Sequence, residues 1–243
     1  MAKTLVFIRS SLFLLGLVCV TPVYVPFAAL GLWLPPHARY RWVTQWTHGV
    51  LWWLRITCGL KFVVKGRENI PVGASVIMAK HQSAWETLAL QQIFPPQVWV
   101  LKRELLRIPF FGWGLALLSP IAIDRAAAKE ALNQLVQQGK SRLQQGFWVV
   151  IFPEGTRVPF GNRGKYRAGG AWLATQAQVP VVPVAHNAGA FWARNAFLKY
   201  PGTITVSIGQ ALHSTDYDNN PARLVRAAEA WIEAECESLG GRV

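Results

Sequence analysis

The hydrophobic pattern separates an apolar front end from a longer region of short, alternating apolar and polar runs. Residues 12–34 form a stretch of 23 residues without a charged side chain. As a helix this stretch would be about 35 Å long, which exceeds the roughly 30 Å of a bilayer's hydrocarbon core. It is also longer than the apolar part of a typical signal peptide, and no clear cleavage site follows it. The pattern therefore predicts a membrane-anchoring segment.

Two prolines, Pro22 and Pro26, fall near the middle of this run, so a single straight span does not follow from the pattern alone. Basic residues flank the run on both sides, so the distribution of positive charge does not select one orientation for a single span. A hairpin, or a pair of helices lying in the plane of the membrane, would keep both flanks on the cytoplasmic side. Spanning and single-leaflet insertion both remain open.

Residues 38–58 place four large side chains at helical spacing, with Arg and His between them: Trp42, Trp46, Val50 and Trp53. This spacing is typical of an amphipathic helix at a membrane interface. A helix that packs its tryptophans into a protein core would show the same spacing, so both interpretations stand.

From residue 60 onward, short apolar runs alternate with longer helical patterns, which predicts an α/β fold with a mostly parallel or mixed sheet flanked by helices. Strands are predicted at 61–66, 74–80, 97–102, 120–124, 147–153, 179–185 and 203–209, and helices at 83–94, 126–146, 169–178 and 220–238. The strand at 179–185 contains two prolines, which favours an edge or bulged strand. Two domains follow: a membrane-associated helical segment at 1–58 and an α/β domain at 59–243.

Composition and charge narrow the classes of partner. Hydrophobic residues make up 52% and charged residues 15% of the chain, against about 25% charged in soluble domains. The net charge is +13, and no acidic residue precedes Glu68. A basic, tryptophan-rich and apolar front end indicates an anionic membrane surface or a phosphorylated substrate. Nucleic acid is disfavoured, because the basic region is mostly hydrophobic and carries no nucleic-acid-binding motif. Three widely spaced cysteines indicate neither a disulfide framework nor a zinc site.

The first candidate for chemistry is the segment KHQSAWET, residues 80–87, which directly follows a predicted strand. Ligand sites of α/β sheets lie at this end of the strands. His81 and Glu86 are the residue types expected of a general base and the carboxylate that orients it. Ser83 and Glu86 also fit a capping box at the start of a helix. Both interpretations use the same atoms.

The second candidate is FPEGTR, which follows the buried run FWVVI. Glu154, Thr156 and Arg157 are polar groups on a turn that Gly155 permits. Arg157 can make bidentate contacts with a phosphate group. An ordinary polar turn after a strand is the alternative.

Two further cations are candidates for phosphate binding. Arg125 follows the predicted strand at 120–124, where it either contacts phosphate or pairs with Asp124 or Glu130. Lys102 opens a segment of basic and aromatic residues, and it either contacts phosphate or is merely solvated.

Together these blocks, in this order along residues 60–215, resemble the glycerolipid acyltransferase family. The blocks are His81–Glu86, 102–113, 123–125, Phe152–Arg157 and 179–183. The resemblance implies transfer of a fatty acyl group from acyl-CoA or acyl-carrier protein to the sn-2 hydroxyl of 1-acyl-sn-glycerol 3-phosphate (lysophosphatidic acid), giving phosphatidic acid. The family's usual pattern is His-x4-Asp, whereas this chain has Glu86.

The resemblance also implies roles for the residues. His81 would be the general base, with Glu86 as its partner. The substrate's phosphate and glycerol would contact Lys102, Arg125, Glu154, Gly155, Thr156 and Arg157, with Glu154 either bonding the glycerol or ordering the turn. No metal or cofactor is implied beyond the acyl donor. The implied location is the bacterial inner (cytoplasmic) membrane, against anionic phospholipid, with the active site on the cytoplasmic side.

Three alternatives remain at this point. The same chemistry could act on glycerol 3-phosphate or another lysolipid. A hydrolase could use Ser83 as its nucleophile, but the chain lacks the G-x-S-x-G sequence of a nucleophile elbow. A non-catalytic protein could use the basic, apolar surface for membrane binding alone.

Overall fold

A mixed sheet of seven strands, covered by helices on both faces, forms the centre of the computed structural model, which describes residues 3–109, 111–124 and 128–241. The strands are β1 Leu60–Lys65, β2 Val76–Ala79, β3 Gln97–Lys102, β4 Ile121–Ile123, β5 Trp148–Ile151, β6 Val181–His186 and β7 Gly202–Ile208. The helices are α1 Lys3–Ala29, α2 Pro36–Cys58, α3 Trp85–Ile93, α4 Phe111–Ala116, α5 Ala128–Gln144, α6 Gly169–Ala177, α7 Ala188–Phe191 and α8 Pro221–Leu239. The α/β class with a mixed sheet is confirmed.

The order of the strands brings the segments KHQSAWET and FPEGTR together at the carboxyl ends of the central strands. The order is β1-β7-β6-β2-β5-β3-β4, and every neighbouring pair is parallel except β6 and β7. β2 lies in the middle and pairs in parallel with β5, with Met78 opposite Ile151. Because their carboxyl ends point the same way, the segments that follow β2 and β5 emerge side by side.

Strand β2 shows how the sheet divides the core. Its side chains are all buried and alternate between two hydrophobic clusters. Val76 and Met78 pack in the cluster that includes residues of α5, α6 and α8. Ile77 and Ala79 pack in the cluster that includes residues of α2 and α3. A strand buried on both faces is uniformly apolar, which explains the unbroken run in this part of the sequence.

The proline-containing strand β6 lies inside the sheet, so of the two predicted alternatives the pairing agrees with a bulged strand and not with an edge strand. It pairs with β2 on one side and with β7 on the other. The pairing on the second side is irregular. Val184 pairs with Ile208 and Val181 with Leu212, so three residue steps on β6 lie opposite four steps on the segment at the end of β7. Pro183 lies in this irregular stretch, where its missing N–H interrupts no regular ladder. Its carbonyl still accepts a hydrogen bond from the Gly209 N–H at 2.9 Å.

Most of the N-terminal apolar run lies in one continuous helix, α1, which passes through both prolines, and the short 3-10 helix Leu30–Trp33 follows it. The segment Lys3–Trp33 is long and apolar enough to cross a membrane by length and composition. Most of its large side chains face outward, with Val23 73% and Trp33 94% exposed. Helix α2 packs against α1 in the antiparallel direction, as two contacts show. The Trp53 indole N–H donates to the Leu12 carbonyl near one end of the helix pair. Near the other end the Tyr24 hydroxyl donates to the Trp42 carbonyl.

The tryptophan stripe of α2 packs inward, so the core-packing interpretation describes it better than the interfacial one. Val50 is buried, and Trp46 and Trp53 are partly buried against the cluster beneath α2 and α3. The opposite side of α2 exposes Trp52 and Ile56. Helical spacing identified an apolar stripe, but the spacing alone does not say whether protein or lipid covers it.

Helix α8 begins as its sequence predicts, with Asn220 as the cap and Pro221 as the first helical residue. The Asn220 side-chain oxygen accepts hydrogen bonds from the main-chain N–H groups of Ala222 and Arg223 at 2.9 and 3.3 Å. These bonds satisfy donors that the first turn of a helix otherwise leaves unpaired.

We expect Asn220→Ala to lower the free energy of unfolding by about 1 kcal/mol, because the first turn of α8 loses its cap. Thermal or denaturant unfolding of the purified protein measures the change. Asn133→Ala is the control, since Asn133 is exposed in the interior of α5. An equal effect of the two substitutions would contradict the capping role.

Candidate active site

The connection between β2 and α3 holds a histidine–carboxylate pair. The Nδ1–H of His81 donates to Oε1 of Glu86 at 2.8 Å. The same carboxylate accepts the main-chain N–H of Gln82 at 2.9 Å and of Ser83 at 2.8 Å. Glu86 is fully buried, whereas the His81 side chain retains 14% exposure. The carboxylate therefore orients the ring and leaves Nε2 as the nitrogen that can meet a substrate.

Glu86 pairs with His81 and also bonds to the main chain at the start of α3, so the two interpretations of this residue are compatible. Glu86 reaches back to the Ser83 N–H, as in a capping box, while the Ser83 hydroxyl accepts from the Trp85 N–H at 3.2 Å. Burial by itself raises the pKa of Glu86, but the hydrogen bond from His81, the neighbouring histidines and the Ser83 N–H outweigh it. The net effect lowers that pKa, so the carboxylate stays ionised at neutral pH.

The His81 residue is also held through its main chain and its ring face. Its N–H donates to Oε2 of Glu154 at 2.8 Å, and its carbonyl accepts the Val158 N–H at 2.7 Å. The imidazole stacks on the Phe152 ring with the centroids 3.8 Å apart. All three contacts come from the segment after β5, so FPEGTR and KHQSAWET form one site.

The FPEGTR segment folds as a tight turn. The Gly155 N–H donates to the Phe152 carbonyl at 3.0 Å, and Gly155 has a φ of +68°. This left-handed conformation is costly for residues with a Cβ, so the glycine is required by the backbone. The turn carries Thr156 and Arg157 to the wall of a cavity that His81 also lines.

Glu154 belongs to the framework of the site rather than to the cavity wall. Its side chain is buried, with Oε1 2.8 Å from the Lys80 ammonium and Oε2 bonded to the His81 N–H. Of the two roles that the sequence left open, the ordering of the turn matches these contacts. Both carboxylate oxygens are engaged within the protein, and the residue is not part of the cavity lining in the described chain.

A second histidine, His186, lies buried close to the pair. The Ala188 N–H donates to its Nδ1 at 3.2 Å, so Nε2 carries the proton and donates to the Lys80 carbonyl at 2.8 Å. Burial lowers the pKa of His186, and the ring is therefore neutral at physiological pH. Sequence reasoning did not identify His186, because it lies on β6, far along the chain from both KHQSAWET and FPEGTR.

The cavity beside His81 has a volume of about 830 Å³. It extends between the sheet and the N-terminal helices, and its lining is mostly apolar. Residues from α1, α2, β3, α5 and the loop after α4 share the apolar wall: Val25, Ala28, Val43, Leu101, Leu118 and Leu135. Its shape and lining suit a long hydrocarbon chain attached to a polar group near the histidine.

Four cations among the described residues line the same cavity. Lys102 and Arg157 were predicted from sequence, while Arg167 and Arg194 were not, because both lie outside the recognised motifs. Arg194 donates to the Arg157 carbonyl at 2.8 Å. The Nε of Arg157 is buried without a hydrogen-bond partner among the residues described. Such a donor on a cavity wall suits an anionic ligand. The remaining predicted cation, Arg125, lies outside the described residues.

A histidine–carboxylate pair at the strand ends, beside an apolar cavity, suits acyl transfer to a hydroxyl group, because the histidine can take the hydroxyl proton. The family model described as "Acyltransferase" matches residues 61–187, and the chain belongs to this family.

Individual relatives carry more specific names. The chain is 52% identical over 215 residues to "1-acyl-sn-glycerol-3-phosphate acyltransferase" of Pseudomonas aeruginosa, covering 86% of this chain and 84% of that protein. It is 31% identical to human "1-acyl-sn-glycerol-3-phosphate acyltransferase beta", covering 63% and 56% respectively. The crystal structure of the 1-acyl-sn-glycerophosphate (LPA) acyltransferase PlsC from Thermotoga maritima shares the fold, with a TM-score of 0.83, 22% identity and 100% of this chain covered.

We expect the stability contributed by the Glu86 charge to depend on pH. Its pKa is lowered by folding, so the contribution is complete above the unfolded value near 4.3 and is lost as pH falls through the lower folded value. Unfolding of the wild type and of Glu86→Gln, measured from about pH 7 to about pH 3, tests this. The stability advantage of the wild type should shrink with acidification. A difference that is constant over this range would contradict the assignment.

Proposed function

We propose that the protein transfers a fatty acyl group from a thioester donor to the sn-2 hydroxyl of 1-acyl-sn-glycerol 3-phosphate, forming phosphatidic acid. The observation that carries this proposal is the position of His81, paired with Glu86, on a mostly apolar cavity that also has Lys102, Arg157, Arg167 and Arg194 on its wall. Lysophosphatidic acid has the matching chemistry: a hydrocarbon chain, a free hydroxyl and a phosphate. The specific name of the Pseudomonas relative supports the same acceptor.

The proposed reaction begins with proton removal. Nε2 of His81 takes the proton from the acceptor hydroxyl as the hydroxyl oxygen attacks the thioester carbonyl. Positive charge develops on the imidazole at this step, and the buried Glu86 carboxylate stabilises it at 2.8 Å. Solvent screens the Glu86 charge poorly in this buried setting, so the carboxylate stabilises the imidazolium more strongly than it would in water.

The second half of the reaction returns the proton. The tetrahedral intermediate collapses with cleavage of the carbon–sulfur bond, and His81 protonates the departing thiolate. The products are phosphatidic acid and a free thiol, and the histidine is neutral again. No enzyme nucleophile is needed, because the acceptor hydroxyl attacks directly.

The acceptor's phosphate would be bound by Arg157 and Lys102, with Arg125 as a further proposed contact. The unpaired Nε of Arg157 supports a bidentate contact from its guanidinium. Gly155 and Thr156 would contact the glycerol from the same turn, since both line the cavity beside Arg157. These contacts would fix the sn-2 hydroxyl near His81.

The donor and the location complete the proposal. Acyl-CoA and acyl-carrier protein both present the required thioester, so the mechanism accommodates either. The exposed apolar helix α1 is the basis for membrane association. We place the enzyme at the cytoplasmic face of a bacterial inner membrane, against anionic phospholipid, because the chain is strongly basic and the thioester donors are cytoplasmic.

We expect His81→Ala to reduce turnover by at least about a hundredfold, because the general base is lost. Ser83→Ala is the matched variant: it removes only the hydroxyl that accepts the Trp85 N–H, and it should keep turnover largely intact. Purified enzyme assayed with acyl-CoA and acyl-carrier-protein donors against several acceptors measures both. Activity that depends on Ser83 would favour a hydrolase instead. Membrane binding without any His81-dependent turnover would favour a non-catalytic protein.

We expect Arg157→Leu to raise the KM for lysophosphatidic acid by about tenfold or more, since one charge-assisted phosphate contact is lost. The KM for the acyl donor should change much less. Comparison with glycerol 3-phosphate and a neutral lysolipid identifies the acceptor. A wild type that prefers either of these over lysophosphatidic acid would overturn the proposed acceptor.

A further inference from the structure

A lysine is buried immediately next to the catalytic histidine. The Lys80 side chain is 1% exposed, and its ammonium lies 2.8 Å from Glu154 Oε1 and 2.7 Å from Glu233 Oε1. It also donates to the Asn162 carbonyl at 3.1 Å. The ammonium therefore donates hydrogen bonds to Glu233 and Asn162, and it forms an ion pair with Glu154.

The second carboxylate comes from the other end of the chain. Glu233 lies on α8, and its Oε1 also accepts the Tyr166 hydroxyl at 2.8 Å. Lys80 and Glu233 are 153 residues apart in the sequence. The cluster therefore joins the end of β2, the loop after β5 and the C-terminal helix.

The cluster reaches His81 through Glu154. One oxygen of that carboxylate contacts Lys80 and the other accepts the His81 N–H. A continuous path of polar contacts thus runs from Glu233 through Lys80 and Glu154 to the histidine main chain. Glu86 holds the ring of the same residue, so two buried carboxylates fix His81 at separate points.

A role in stability alone gives a weak account of this cluster. Buried ion pairs seldom add net stability, because desolvation of the charges offsets their attraction. Apolar side chains of similar volume would serve a purely structural purpose as well. Buried charges with fixed geometry hold the groups that they contact in a single orientation. A general base needs such a fixed orientation relative to its substrate.

The electrostatics agree with a permanent cation at this position. Burial lowers the pKa of Lys80, but the hydrogen bonds and charges of Glu154 and Glu233 outweigh that effect, so the pKa is raised. Burial raises the pKa of Glu154, and Lys80 partly offsets this. Glu154 therefore depends on the lysine to remain a charged acceptor for the His81 N–H.

We propose that Lys80 and Glu233 are positioning residues for His81, and that helix α8 contributes to catalysis by holding Glu154 in place through them. This inference rests on the proposed function, in which His81 is the general base. Neither residue needs to touch a substrate. Their effect should therefore fall on the chemical step and not on the binding of either substrate.

The test compares Glu233→Gln with Glu237→Gln. Both substitutions remove one charge from α8, but Glu237 is exposed and pairs only with Arg163 among the described residues. We expect Glu233→Gln to lower kcat about tenfold with little change in either KM, and Glu237→Gln to leave kcat within about twofold of the wild type. A fall in thermal stability with unchanged kcat would overturn the proposal, as would a loss expressed in KM.

A double substitution tests the path through Glu154. If Glu233 acts through that residue, adding Glu233→Gln to Glu154→Gln should lower kcat by less than about twofold beyond the single change. Fully additive losses would overturn the path. Tyr166→Phe, which removes only one hydrogen bond to Glu233, replaces Glu233→Gln if that variant does not fold, with an expected loss of about threefold in kcat.

The outcomes also separate this inference from the proposed function. Kinetics are measured with whichever acceptor the wild type uses best, so an unexpected acceptor leaves the comparison intact. Failure of His81→Ala to reduce turnover would refute the proposed base. Normal kcat in Glu233→Gln, with His81 still essential, would refute the positioning role alone.

Discussion

The buried carboxylate of Glu86 is the constraint on which the site depends. A charge without access to water must receive hydrogen bonds from the protein, and Glu86 receives them from His81 and from the main chain at 82 and 83. These donors lie in the connection between β2 and α3. The bonds that keep the carboxylate ionised therefore also set the start of α3 and the plane of the imidazole. The same hydrogen bonds to Glu86 are therefore required for the orientation of the His81 ring and for the local fold of this connection.

The side chain of Glu86 is one methylene longer than the aspartate of the family's usual pattern. The structure accommodates this length without loss of the pair, since the carboxylate meets the ring at 2.8 Å and still reaches back to the Ser83 N–H. The longer side chain folds over the first turn of its helix. A carboxylate in this position combines capping with orientation, which explains why both interpretations of the sequence were consistent with the same residues.

The sequence predicted most of the fold because its signals are local. Apolar runs, helical spacing and the Asn220–Pro221 cap identify strands and helices without knowledge of tertiary contacts. The order of the strands is not local. The position of β2 beside β5 brings His81 against Phe152, and only the assembled sheet reveals that neighbour. The same limit applies to β6: its prolines left an edge and a bulged strand open, and only the assembled sheet shows Pro183 at an irregular stretch of pairing inside it.

The parts of the site that sequence did not identify come from distant segments. Arg194 and Glu233 lie outside the recognised motifs, and neither residue type is unusual where it occurs. Their significance depends on contacts with the Arg157 carbonyl and the Lys80 ammonium. Lys80 was visible as a charge beside His81, yet a lysine at the end of a strand is usually solvated. Its burial between two carboxylates becomes evident only when α8 packs onto the sheet.

The N-terminal helices serve two purposes that cannot be separated. The outer side of α1 exposes apolar residues such as Val23, which accounts for membrane association. The inner side of the same helix contributes Val25 and Ala28 to the wall of the cavity, and α2 adds Val43. Both substrates of the proposed reaction are amphiphiles, whose hydrocarbon chains are stable in lipid or in this cavity but not in water. A helix that borders lipid on one side and the cavity on the other keeps the acyl chain close to apolar surroundings. The N-terminal segment therefore both presents an exposed apolar surface and lines the cavity in which the proposed reaction would hold an acyl chain.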